Sequence, residues 1–349
     1  MVGLEVCAPL APRHLAKFGS GGQYSDMGTT HPPVRFFREA LGLSPWRERY
    51  RQALIAIKGQ QDVPPSQFDL SSLRLLRPRV AIPLWRGRPF IERKVILTNL
   101  FNHRQTPVEN GWSVKQTQVE DFRGRGLTYD SHNGTDLSIP VGTRVLATAP
   151  GEVVLILSEF NRGGLKIFID HGDGLMTCSA HLARALVKEG QVVGRGEAIA
   201  LSGYSGLDGF VTFPFGVPHI HLNTWLDGVP VDPFPRGDEA SLWRGGALPM
   251  PVDGDETDAV PFSPSAYSET RVDEAITTCK TASTRARLAA IEPLSARAAG
   301  TIIEMNYYPT RFPSRVHVYA EEHPRSPRLD LPFSRDDFDG AVFVDELGG

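Results

Sequence analysis

The chain is poor in cysteine and lysine and has no long apolar run. Its three cysteines, Cys7, Cys178 and Cys279, are odd in number and far apart. That excludes a disulfide framework and argues against a cysteine-based zinc site. Only seven of the 37 basic residues are Lys, the arginines are scattered, and 40 acidic residues bring the formal net charge to −3. So balanced a chain offers no electrostatic case for nucleic-acid binding. The longest aliphatic run, Val153 to Leu157, is of strand length and far short of the ~20 residues a membrane span needs. The first residues lack a basic start, and Glu5 interrupts their apolar stretch. They do not read as a signal peptide, and Glu5 and Val6 are poorly suited to precede a lipidated Cys7. The expected location is therefore the cytoplasm by default, with an extracytoplasmic site required for any cell-wall role. What is present is a globular composition, 41% hydrophobic and 22% charged over 349 residues. The 34 Gly and 28 Pro predict frequent turns and few long helices.

The pattern along the chain predicts five parts. Residues 1–31, with Gly-Ser-Gly-Gly at 19–22, read as a flexible tail. Residues 32–95 form a helical extension. In it Ser44 is expected as cap and Pro45 as first residue of a second helix, followed by a connector at 63–79 and strands at Val80–Trp85 and Val95–Leu100. Residues 96–236 are a mainly β core of short apolar runs punctuated by Gly and Pro, with hairpin signals at Asp173-Gly174 and Asp227-Gly228. Residues 237–260 are a linker, acidic at 251–260. Residues 261–349 form a small α+β module, with one helix from Val272 to about Ile291 and strands at Ile302–Tyr308, Val316–Ala320 and Ala341–Val344.

The chemistry concentrates in the β core. His132 and Asp136 are four residues apart around Gly134, which is expected to turn the backbone tightly. His181 follows Ser179-Ala180, and His219 and His221 alternate along a strand, so that both face one way. Two His and one carboxylate are a common zinc set with water in the fourth position. The remaining His could then serve as base and oxyanion donor in amide hydrolysis. Each piece alone has a blander reading: a lone His-x-His is more often structural, and His181 beside Leu182 is more often a satisfied core residue. Their force lies in occurring together.

The segment from His132 to Val154 resembles the opening block of the lysostaphin/LytM-type zinc metallopeptidases, with its His-x-Gly-x-Asp motif. Lys166 to Gly206 resembles the family's hairpin leading into its catalytic His, and Pro218 to Pro235 its closing His-x-His strand. The resemblance covers roughly residues 125–236. It implies an antiparallel sheet with a groove on one face, Zn2+ held by His132, Asp136 and His221, and His181 and His219 as catalytic histidines. It also implies hydrolysis of stem or cross-link peptides in bacterial peptidoglycan. In the family the position of Ser179 is often Tyr; here Ser179 offers a shorter hydroxyl to substrate. The loop from Gly206 to Pro218 is longer and more aromatic than usual, and Phe210, Phe213 and Phe215 are candidate groove-wall residues for substrate.

His171 reads as a hairpin residue, His317 and His323 as surface residues, and Cys178 as a buried strand cysteine. Two other classes of function are weighed. Some members of the family are non-catalytic scaffolds or regulators of other wall enzymes, but all five site residues are present here. The 187–203 segment also resembles the turn of lipoyl and biotinyl carriers, yet Lys188 does not sit in the exposed hairpin an acceptor needs.

Overall fold

The computed structural model describes residues 31–246 and 262–347. The expected tail at 1–31 lies almost wholly outside the described residues, as does the acidic stretch at 251–260. Residues 34–349 form one compact unit.

The chain enters through a single helical turn at Phe36–Ala40 and then α1, Trp46–Lys58. Pro45, rather than Ser44, occupies the cap position of α1, and no side-chain cap bond forms there. The expected strand at Val80–Trp85 is a helix, α2, Pro78–Trp85. Pro78 supplies a preformed first-turn φ, and Val80, Ala81 and Leu84 fall on one buried helical face. The spacing 80, 81, 84 is helical, and the short apolar run concealed it.

The sheet follows: β1 Lys94–Asn99, β2 Gly134–Ser138, β3 Arg144–Leu146, β4 Gly151–Glu159, β5 Gly164–Asp170, β6 Leu175–Ala185, β7 Val192–Val193 and β8 Ala198–Ser202. A short helix α3, Leu207–Thr212, precedes β9, Ile220–Leu226, and β10, Val229–Pro230. The β9–β10 turn carries φ of 51° at Asp227 and 76° at Gly228, the left-handed pair an Asp-Gly hairpin requires. The helices α4 Glu269–Thr278, α5 Ala282–Ala289 and α6 Leu294–Tyr307 come next, and β11, Gly340–Phe343, closes the chain. The strand order is β11-β1-β2-β9-β6-β5-β4-β7, with β8 beside β6 and β3 beside β8. All pairs are antiparallel except β1–β11. The fold is thus mainly β, a mixed sheet with helices added.

Three C-terminal expectations change. The helix expected from Val272 to Ile291 breaks at Cys279 into α4 and α5. The strand expected at Ile302–Tyr308 belongs to α6, whose residues from Arg297 to Asn306 are all buried. With its polar residues Arg297, Glu304 and Asn306 buried among apolar ones, the helix lacks a one-sided apolar stripe, and Ile302-Ile303 reads as a strand. Of the strand expected at Val316–Ala320, only a bridge from Tyr319 to Tyr267 forms.

C-terminal residues feed both faces of the sheet. Below it, Leu329, Leu331, Phe333, Phe338 and Phe343 join Ile220, Leu222 and Ile167 in one core. Above it, α4 to α6 cover Phe168, Met176, Cys178, Ala180 and Trp225. Each fully buried aliphatic or aromatic side chain contributes about 1.5–3 kcal/mol, so these segments stabilise the strands that carry the histidines.

Candidate metal centre

Strand register lines up the site. Asn99 on β1 pairs with Asp136 on β2, Asp136 with His221 on β9, and His221 with Ala180 on β6. Paired residues on antiparallel strands project to the same face, so one row crosses four strands. Within it Asp136 Oδ1 lies 2.7 Å from His221 Nδ1, and His132 Nε2 lies 3.0 Å from Asp136 Oδ1 and 3.1 Å from His221 Nδ1. His132, Asp136 and His221 are all buried, and they are the only cluster among the described residues whose donor atoms could hold a metal ion together. Gly134 does not make the expected tight turn; it opens β2 and pairs with Asn223. Its role is steric, because a Cβ there would lie 2.7 Å from Leu222 O and 2.8 Å from His221 Nε2.

The donors are oriented from outside the cluster. His132 Nδ1 donates to Leu100 O at 2.6 Å, and Asn99 Nδ2 donates to Asp136 Oδ2 at 2.8 Å. The Leu100 contact puts the proton of neutral His132 on Nδ1, so Nε2 presents a lone pair. His132 Nε2, Asp136 Oδ1 and His221 Nδ1 thus converge within 3.1 Å of one another, close enough to share one cation. This donor set, one carboxylate and two imidazoles with oriented outer partners, fits zinc. Burial alone would raise the Asp136 carboxyl, but the imidazoles of His132, His219 and His221 around it hold it well below the usual carboxylate range. Asp136 therefore stays ionised, as a ligand must.

The other two histidines stand beside this cluster. His219 Nδ1 contacts Val217 O at 2.7 Å, and its Nε2 is 3.4 Å from Asp136 Oδ1. His181 Nδ1 contacts Ser205 O at 2.8 Å, and its ring centroid is 4.8 Å from that of His219 and 6.1 Å from that of His221. Both rings thus commit Nδ1 to a backbone carbonyl and turn Nε2 the other way, in His219 toward Asp136. Burial, with His219 and His221 close by, keeps the His181 imidazole well below its ordinary value and hence neutral.

His181 reaches the groove through an irregularity. On β6, Ala180 packs above the sheet and Leu182 below it, so strict alternation would send His181 down with Leu182's neighbours. Instead His181 has φ +60°, and the register shifts between Leu165 and Ile167 on β5 and between Leu182 and Arg184 on β6. The bulge turns the ring up. A left-handed conformation at a non-glycine residue costs on the order of 1–3 kcal/mol and persists only where its surroundings enforce it. Here they do: His181 N donates to Gly163 O at 2.8 Å and Ser205 N donates to His181 O at 3.2 Å.

Ser179 is placed differently from expectation. It pairs with Leu222 and Ile167, both in the lower core, so its hydroxyl points away from the groove. Sequence reading passed over Tyr204 instead. This buried ring lies 5.1 Å from His181 and 4.7 Å from His219, and stacks on Trp85 at 6.0 Å. Its position between two glycines just after β8 was the available signal. Tyr129, 4.5 Å from His132, was missed too. Phe210, Phe213 and Phe215 are half-exposed on and beside α3; Phe213 meets Phe36 at 5.3 Å and Trp85 at 5.2 Å.

The remaining candidates lie apart. His171 is buried between Pro150 O and Thr177 Oγ1, and burial pulls its imidazole down to about 4. Burial pushes the Cys178 thiol up to about 12, which leaves no thiolate for nucleophilic attack. His317 and His323 are not surface residues. His317 is half-buried near Arg271, and His323 Nδ1 bonds Asp227 Oδ1 at 2.7 Å, tying the C-terminal segment to the β9–β10 turn.

Residues 130–233 match Peptidase family M23. Over 128 residues the chain is 41% identical to peptidoglycan DD-endopeptidase ShyA of Vibrio cholerae, a span covering 36% of this chain and 28% of that protein. It is 37% identical over 102 residues to ShyB of the same organism, covering 29% and 22%. The chain thus spans less than a third of the length of these relatives. Among solved structures, the catalytic domain of lysostaphin from Staphylococcus simulans is 28% identical, with 30% of this chain and 77% of that one covered at a TM-score of 0.26. Residues 130–233 are thus a peptidase family M23 domain of the lysostaphin/LytM type.

Proposed function

We propose that this protein is a zinc-dependent endopeptidase acting on peptides of bacterial peptidoglycan, and that it works outside the cytoplasm. The observation that carries the reading is the convergence of His132 Nε2, Asp136 Oδ1 and His221 Nδ1 beside two further histidines whose Nδ1 atoms are held by backbone carbonyls. The names of the relatives ShyA and ShyB, peptidoglycan DD-endopeptidases, support the substrate class. No helix among the described residues is long and apolar enough to cross a membrane.

In this reading His132, Asp136 and His221 hold the zinc, which when bound supplies a Lewis acid for the scissile carbonyl and acidifies water. His181 and His219 move protons. With each Nδ1 committed to a backbone carbonyl, each Nε2 can take a proton from attacking water or return one to the leaving amine. Their fixed rings spend no orientation entropy at the moment of reaction. Phe210, Phe213 and Phe215 form one groove wall against the substrate.

Purified zinc-loaded protein should release soluble fragments with new amino termini from purified peptidoglycan, identified by mass spectrometry. Asp136→Ala should release none. Intact peptidoglycan after prolonged incubation with stoichiometric zinc bound would remove the proposal.

A further inference from the structure

The β4–β5 hairpin places a cation one residue from the backbone that holds His181, and no described residue forms an ion pair with it. Arg162 sits at the tip of this hairpin, one residue from Gly163, whose carbonyl accepts the His181 backbone N–H at 2.8 Å. The hairpin is held firmly. Buried Lys166 donates to Glu159 Oε2 at 2.6 Å and to Arg162 O at 2.7 Å, and Leu207 N donates to Phe160 O at 2.7 Å. The guanidinium itself lies 5.6 Å from the Trp112 ring and 6.0 Å from the Tyr308 ring.

An arginine in such a place ordinarily has a carboxylate partner, because burying an uncompensated charge is costly. Arg162 has none within ion-pair distance among the described residues. Its Nε is buried without a hydrogen-bond partner, and its Nη1 makes only a long contact of 3.4 Å to the neighbouring Asn161 O. The acids that influence it are otherwise placed. Glu159 is engaged by Lys166 and by Tyr308 Oη at 2.8 Å. Asp208, at the start of α3, makes no bond to Arg162 yet lies within electrostatic reach of Arg162, His219 and Asp136 alike. Burial draws the guanidinium below its ordinary value, as expected for a cation lacking its counter-ion. Arg162 is half-buried overall.

Resting on the peptidase reading above, we propose that Arg162 is a specificity-determining residue that binds a carboxylate of the substrate peptide, selecting acidic over neutral peptides. A planar fork flanked by two aromatic rings suits bidentate capture of a carboxylate, and the loss of solvent there strengthens the bond.

The test uses the full zinc-loaded chain and short synthetic peptides in matched pairs. Within each pair Glu is replaced by Gln at one position, one to three residues on either side of the scissile bond. Both cleavage and, by calorimetry, binding are measured. Charge-assisted hydrogen bonds predict at least ~10-fold preference for one Glu peptide over its Gln twin, mostly in KM. Arg162→Gln should bring that ratio to about 1 while leaving zinc content and cleavage of the Gln peptide unchanged, and Arg162→Lys should retain part of the preference. Absence of any Glu preference in the native protein overturns the proposal. So does an equal loss on both twins in Arg162→Gln, which marks a structural role. If neither twin is cleaved but binding still discriminates between them through Arg162, the carboxylate site stands and the peptidase reading falls.

Discussion

Asp136 and His221 stand directly opposite each other on neighbouring antiparallel strands, with Oδ1 and Nδ1 2.7 Å apart. Eighty-five residues of chain separate them, and the sheet register alone brings them together. His132 completes the cluster from the loop that enters β2, so the centre is anchored on two central strands rather than on mobile loops.

The first prediction is metal stoichiometry. Purified protein should carry about one zinc per chain, because three protein donors and a water complete the coordination. His132→Ala, Asp136→Ala and His221→Ala should each lose most of it in elemental analysis. Chelation should lower the melting temperature, since an ion bound at ~1,000 times its Kd stabilises by about 4 kcal/mol. Full zinc in all three variants would show that the ion is held elsewhere.

A second prediction separates holding from catalysing. His181→Ala and His219→Ala should keep zinc and lose ~10²–10⁴-fold in kcat, the usual contribution of a positioned acid or base. Loss of zinc from His219→Ala with retention in His221→Ala would exchange the roles of these two residues.

Asn99 provides a third test, because it touches Asp136 without belonging to the donor set. Asn99→Ala leaves Asp136 Oδ2 without this partner and should weaken zinc affinity by ~10–100-fold, the range seen when an outer-shell partner of a metal ligand is removed. Competition with a chromogenic chelator measures it. Unchanged affinity would mean that the strand backbone alone orients the carboxylate.

The aromatic insert can be tested by thermal melts alongside kinetics. Phe210, Phe213 and Phe215 are each 44–51% exposed, so joint replacement by Ala should cost far less than the ~3–5 kcal/mol expected for a fully buried Phe. Most of that cost should come from Phe213, through Phe36 and Trp85. The triple variant should lose at least ~10-fold in kcat/KM on peptides, equivalent to ~1.4 kcal/mol. A large drop in melting temperature with normal turnover per folded molecule would assign these rings to packing alone.

Local pattern by itself determined the mainly β core, the Asp-Gly hairpin at 227–228 and the shared face of His219 and His221, because each depends on residues two to four positions apart. The motif spacing also singled out His132, Asp136, His181, His219 and His221 as a set. Tertiary structure decided what depends on distant partners. Strand register set Asp136 against His221 and Asn99 against Asp136, and no local pattern encodes register. The bulge at His181 reversed the alternation that would otherwise bury its ring below the sheet, while Ser179, ahead of it in regular register, faces down and Tyr204 lines the site. Helix α6, buried on all sides, carried no amphipathic signal and could be recognised only once the strands beneath it were in place. Arg162, one arginine among many in the sequence, became distinctive only when folding set it between Trp112 and Tyr308 without an acidic partner. Whether a charge is paired depends on what the rest of the chain brings within about 4 Å of it.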